Sequence, residues 1–194
     1  MKRHALTKLP VLFAAVVIWA NCASPGLAQV PGPGDSVPLI ILVRHAEKAC
    51  TPADDPPLSQ AGKKRAEDLA AALGGAKVRR VITTDFRRTS ETARPLAQAL
   101  GLQPVVINLK GSPTDLNTHI GQVVDAIRAS NSGTVLVVGH TITIPDIIAR
   151  LGGPKTGEIS ESGYSNLFVL LGVSEMRLVR SVYGAADSPQ PGCN

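Results

Sequence analysis

Arg44 and His45 close the apolar run Leu39–Val43. Arg87 and Arg88 follow the run Val78–Ile82 and its polar exit Thr83-Thr84-Asp85, and His140 follows Val135–Val138 and Gly139. Charged and polar groups of this kind do not stay dry without partners. Guanidinium and imidazole groups converging on one point suit a tetrahedral anion, above all a phosphoryl group. A neutral imidazole held at one ring nitrogen can attack phosphorus with the other. A second, protonated imidazole and the guanidiniums can hold the equatorial oxygens as charge redistributes. Taken singly, each residue has an ordinary structural reading: a strand cap, a solvated helix start, a satisfied histidine. Three apolar runs ending the same way carry the argument. No run of the form G-x-x-x-x-G-K-S/T is present, so nucleotide hydrolysis by that route is not expected. No zinc-ligand spacing occurs, and neither a metal nor any other cofactor is expected.

The elements that must position these groups follow from the apolar pattern. A run such as Leu39–Val43, apolar throughout, fits a strand covered on both faces, as in parallel sheets. Ser59 reads as the cap of a helix over 60–73, stopped by Gly74-Gly75. A strand over 78–82 precedes a helix from about 87 to 100, closed by Gly101, in which Pro95 predicts a kink or a break. A short strand over 104–107, a helix over 114–129, a strand over 135–138 and a short helix over 144–151 come next. Two final runs, 166–171 and 176–182, suggest a hairpin. Strands alternating with helices mean an α/β fold. We expect a mostly parallel central sheet with helices on both faces and a C-terminal antiparallel hairpin. Ligands bind such sheets outside the carboxyl ends of the strands, which is where Arg44, His45, Arg88 and His140 would emerge.

The 194 residues, 44% hydrophobic and 18% charged, describe one globular domain. Lys2, Arg3 and Lys8 precede an apolar stretch from Val11 to Ala20, with small residues following at Ala23, Ser24 and Ala28. That is a secretory leader over 1–28, with cleavage expected after Ala28 and a periplasmic or secreted product. The apolar stretch is short of the ~20 residues a spanning helix needs, so no stable membrane insertion is expected once the leader is removed. Removing the three leader cations lowers Lys+Arg from 20 to 17 against Asp+Glu 15, a charge of about +2. A nucleic-acid partner is therefore not expected. Residues 29–37 read as an extended lead-in, 38–186 as the domain and 187–194 as a tail. Cys22 leaves with the leader, so Cys50 and Cys193 either pair or remain thiols.

Four stretches carry a family resemblance. LVRHAEK, residues 42–48, resembles the R-H-G/A-E signature of the histidine phosphatase (phosphoglycerate mutase-like) superfamily. Arg88-Thr89-Ser90-Glu91-Thr92-Ala93 is similar to its R-A/T-x-E/Q-T-A motif, VLVVGH (135–140) to its second-histidine motif, and LSQAGKKRA (58–66) to its helix start. The resemblance spans about 38–183 in the family's order and points to a small secreted branch. It implies that His45 is the nucleophile that becomes phosphohistidine. Arg44, Arg88 (rather than Arg87) and His140 form the phosphate pocket, and Glu47 orients the first turn. Larger members place a Glu proton donor after the third strand. Here no Glu occurs from Thr92 to Gly157, and Asp115 is the candidate acid. Thr141 stands where the acid-phosphatase branch has an Asp, and Ile142 where small relatives have a polar neighbour. The resemblance implies a metal-independent phosphatase acting on a small phosphomonoester or a phosphohistidine protein. The alternative is a non-catalytic anion-binding module of the same fold.

Overall fold

The computed structural model describes residues 39–109, 116–130, 133–172 and 175–187. The expected leader and lead-in, Asp115, Cys193 and all of the tail after Asp187 lie outside these residues. Cys50 is disulfide-bonded.

Ten elements follow the chain: β1 (Leu39–Arg44), α1 (Gln60–Leu73), β2 (Val78–Thr84), α2 (Arg87–Leu100), β3 (Val105–Ile107), α3 (Leu116–Arg128), β4 (Thr134–Gly139), α4 (Ile144–Arg150), β5 (Asn166–Leu171) and β6 (Arg177–Val182). The strands form one sheet in the order β3-β2-β4-β1-β5-β6. β1, β4, β2 and β3 run parallel, whereas β5 is antiparallel to both β1 and β6. The chain therefore has the α/β architecture with a C-terminal antiparallel hairpin.

Alternation along β1 splits the core. Ile40 and Leu42 cluster with Ile120 and Val123 of α3 and with Ile147 and Ile148 of α4. Ile41 and Val43 cluster with Leu69 and Leu73 of α1 and Leu96 of α2. Both faces are covered, which is why the run is apolar at every position. Each fully buried Leu or Ile contributes roughly 1.5–3 kcal/mol relative to exposure.

Strand order decides where the polar ends go. β1 and β4 pair in parallel with Arg44 opposite Gly139, and the His45 amide donates to the Gly139 carbonyl at 3.0 Å. β2 lies on the other side of β4, with Thr83 opposite Val138. Three carboxyl ends consequently sit side by side, as the topology of parallel sheets requires for a shared site.

Two helices carry local signals that position this edge. Ser59 caps α1 by accepting from the Gly62 amide at 3.1 Å. Gly62 itself lies against the Glu47 backbone, where an added Cβ would come within 2.1 Å of the Glu47 carbonyl oxygen. α2 runs unbroken through Pro95, so the break considered from sequence does not occur. Ala93, Leu96 and Ala97, on both sides of the proline, are buried, and tertiary packing outweighs the missing amide. Gly101 then ends α2 in the left-handed region, φ 65°, with its amide on the carbonyls of Ala97 and Gln98. Among the described residues no helix is long and apolar enough to cross a membrane.

Candidate active site

Arg44, His45, Arg88 and His140 line one cleft of ≈ 470 Å³, together with Lys48, Asp54, Phe86 and Glu161 among others. His45 leaves the end of β1 and is 4% exposed. Its Nδ1 lies 2.8 Å from the Ala46 carbonyl oxygen, which can only accept. Nδ1 therefore carries the proton, and the lone pair falls on Nε2. Burial, and secondarily the charges of His140, Arg44 and Arg88, hold the His45 pKa well below its ordinary value, against the opposing pull of the Ala46 carbonyl. At neutral pH this is an unprotonated imidazole with one nitrogen fixed.

The turn after His45 is pinned by the neighbouring motif. The Ala46 amide donates to Thr92 Oγ1 at 2.9 Å, and Thr92 Oγ1 donates to the Arg88 carbonyl at 2.7 Å. One hydroxyl on the second turn of α2 thus ties the turn after His45 to the helix start that presents Arg88.

His140 follows β4, with its ring centroid 5.3 Å from that of His45. Its tautomer can be read from its partners. Thr89 Oγ1 donates to the carbonyls of Thr84 and Phe86, so it can only accept from Thr84 Oγ1 at 2.9 Å. Thr84 Oγ1 in turn accepts from His140 Nε2 at 3.1 Å. That leaves the lone pair on Nδ1, 3.5 Å from an Arg88 guanidinium nitrogen that can only donate. Burial first, then Arg88, His119 and Arg44, push the His140 pKa down to about 3. Desolvation and the neighbouring Arg88 cation keep this imidazole neutral, whereas the sequence reading has it protonated against the phosphoryl oxygens.

The two arginines are held differently. Arg44 is 4% exposed. Its NH1 donates to the backbone carbonyls of Ser160 and Glu161, and its NH2 donates to Glu161 Oε2 at 2.8 Å. The guanidinium lies 4.1 Å from the centroid of the Tyr164 ring. Arg88 lies 4.0 Å from the Phe86 ring centroid. The Nε atoms of Arg44 and Arg88 are buried and have no hydrogen-bond partner among the described residues. Orphaned cationic donors of this kind call for an acceptor. Arg87 points elsewhere. Its amide donates to Asp55 Oδ1 at 3.0 Å and its half-exposed guanidinium pairs with Glu91.

Glu47 does not line the cleft. Its carboxylate is gripped by Arg65 of α1 through Nε, at 2.9 and 3.0 Å to its two oxygens, and NH2 at 2.7 Å. Arg65 NH1 also donates to the carbonyls of Tyr183 and Ala185. Asp85, at the exit of β2, accepts from the Leu109 amide at 2.8 Å and so ties β2 to the segment after β3. Asp115, the acid proposed from sequence, lies outside the described residues. Among the described residues no three His, Cys, Asp or Glu side chains group as metal ligands would.

Several participants were not legible in the sequence. Thr84 stood in the polar exit of β2 but without a role. Phe86, Tyr164 and Glu161 carried no periodic or motif signal. The last two belong to the loop before β5, which reaches the cleft only because β5 pairs beside β1.

Residues 40–110 match the sequence model of the histidine phosphatase superfamily, branch 1. This segment is similar to members of that superfamily. It holds Arg44, His45 and Arg88; β4 and His140 lie beyond it. Solved structures share the fold over more of the chain. A mycobacterial glucosyl-3-phosphoglycerate phosphatase in complex with VO3 is 19% identical, with a TM-score of 0.57, over 77% of this chain and 100% of its own. The protein histidine phosphatase SixA, complexed with tungstate, is 19% identical, with a TM-score of 0.56, over 74% and 96%. A putative alpha-ribazole-5'-P phosphatase from Escherichia coli is 15% identical, with a TM-score of 0.56, over 80% and 100%. No curated protein sequence matches the chain.

Proposed function

We propose that the protein is a metal-independent phosphatase that hydrolyses a phosphomonoester or a phosphohistidine through a phosphohistidine at His45. The observation that carries this reading is the fixed tautomer of His45: Nδ1 is spent on the Ala46 carbonyl, and Nε2 is left as the nucleophile in a cleft shared with Arg44, Arg88 and His140. Nε2 forms a bond to phosphorus as the bond from phosphorus to the leaving oxygen (nitrogen in a phosphohistidine) breaks, and that atom takes a proton from a carboxylic acid. Water then attacks phosphorus and returns a proton to that carboxylate, the bond to Nε2 breaks, and inorganic phosphate leaves with the neutral imidazole restored. Arg88 and His140, whose nitrogens lie 3.5 Å apart, converge where one phosphoryl oxygen can meet both. Asp54 and Glu161 are the described carboxylates on the cleft wall. Both Glu161 oxygens are already engaged, by Arg44 and Thr141, so Asp54 is the better placed of the two to protonate a leaving oxygen. The family match and the phosphatase neighbours support the reading without naming a substrate, since those neighbours are named for different compounds.

The test is a phosphoenzyme assay. Incubation with a labelled phosphodonor should yield an acid-labile, base-stable adduct in the wild type and none in His45→Ala, with p-nitrophenyl phosphate turnover lost in the same variant. Full turnover by His45→Ala would refute it. The engagement of Arg44 by the 160–161 segment favours a second reading, an anion-binding module without turnover. That reading wins if the protein binds vanadate yet hydrolyses nothing across a broad phosphoester panel. Export through the leader over 1–28 belongs to the same proposal, and an intact Met1 on mature protein would overturn it.

A further inference from the structure

A second cavity, of ≈ 610 Å³, adjoins the catalytic cleft and shares Thr141, Ile142 and Glu161 with it. Its chemistry is opposite to that of the cleft. Three carboxylates, Asp146, Glu158 and Glu161, face a single cation, Lys155, while Ile142 and Ile159 supply apolar wall. Ile142 is 61% exposed, a large apolar side chain left open at the junction of the two spaces. Among the described residues Asp146, Glu158 and Lys155 enter no ion pair. Glu161 is held in place by Arg44 and by Thr141 Oγ1 at 3.1 Å, yet its side chain is 81% exposed. It is a preset acceptor at the boundary.

A ligand that spans both spaces needs an anionic end for the guanidinium groups of Arg44 and Arg88, which line the cleft. Its other end must suit a wall with excess negative charge and some apolar surface. We propose, resting on the phosphatase reading above, that this cavity receives the leaving group and selects phosphomonoesters of amine-bearing alcohols over those bearing a carboxylate or a second phosphate. Glu161 accepts from the ammonium or a neighbouring hydroxyl, Asp146 and Glu158 add long-range attraction, and Ile142 with Ile159 packs the carbon skeleton. Exposed charges about 5 Å apart in high dielectric change affinity by a few fold each, so the excess carboxylates should favour an amine over a carboxylate about tenfold.

The experiment compares kcat/KM for phosphoethanolamine with that for phosphoglycolate, and for glucosamine 6-phosphate with that for glucose 6-phosphate, in the full-length protein. p-Nitrophenyl phosphate serves as the common reference. The wild type should prefer each amine, by about tenfold in the first pair, and Glu158→Lys should bring that ratio toward one or invert it. If p-nitrophenyl phosphate is hydrolysed but the first pair is turned over equally, or Glu158→Lys leaves the ratio untouched, the selectivity proposal fails and the phosphatase reading stands. If nothing is hydrolysed, the phosphatase reading fails. Displacement of bound vanadate by phosphoethanolamine and phosphoglycolate then tests the cavity alone, and equal displacement overturns it.

Discussion

Binding a tetrahedral dianion should place a proton on His140. This imidazole is 6% exposed, and burial with Arg88 beside it holds its pKa at about 3. Raising that value to the unperturbed ~6.5 requires about 5 kcal/mol, at 1.36 kcal/mol per unit. A unit charge at ~4 Å contributes roughly 4 kcal/mol at an effective dielectric constant of 20, so a dianion supplies more than enough. The bound state then holds a proton that the free state lacks, and affinity must rise as pH falls. Sulfate is the suitable probe, because it stays dianionic across the range used and cannot be turned over. Titration calorimetry between pH 7.5 and 5.0 should show the association constant climbing toward tenfold per pH unit in the acid half of the window. His140→Gln should flatten that slope, whereas His45→Gln should keep it. A slope that survives in His140→Gln, or a flat wild type, would refute the reasoning.

Two further outcomes follow from buried hydrogen bonds. Arg65→Met removes five bonds, three to Glu47 and one each to the carbonyls of Tyr183 and Ala185, and strands the buried Glu47 carboxylate. Equilibrium urea unfolding should register a loss of about 3–5 kcal/mol, and a loss below about 1 kcal/mol would contradict the burial. Thr92→Val leaves the buried Ala46 amide without its acceptor, an expected cost of about 1–3 kcal/mol. Because the Ala46 carbonyl orients His45, kcat should fall as well; wild-type kcat and stability together would show that the Thr92 link is dispensable.

The strand ends were legible because a doubly covered strand must be apolar throughout, so the first charged residue marks where cover stops. Arg44-His45 and His140 stood out for that reason, and Arg88 over Arg87 rested on motif likeness. The neutral state of His140 in the absence of an anion was not legible, since its burial and the charge of Arg88 beside it both depend on neighbours that β2 and α2 bring. Pro95 was weighed by its local preference, which the burial of Ala93 and Leu96 on either side overrides. Glu47 was assigned to the first turn, and its partner Arg65, a turn and a half into α1, stood in the LSQAGKKRA stretch, but nothing in that stretch paired the two. The expected acid, Asp115, lies outside the described residues, and the carboxylates found at the cleft, Asp54 and Glu161, come from loops without periodicity.

Sequence alone determined the alternation of strands and helices and the residue types at each strand's exit, because burial period and charge are local properties of the chain. Only the tertiary structure decided that β1, β4 and β2 stand adjacent, which nitrogen of His45 keeps its lone pair, and that Glu161 sits on Arg44. Those depend on hydrogen bonds and strand pairing between residues far apart in the chain, and no local pattern encodes a distance.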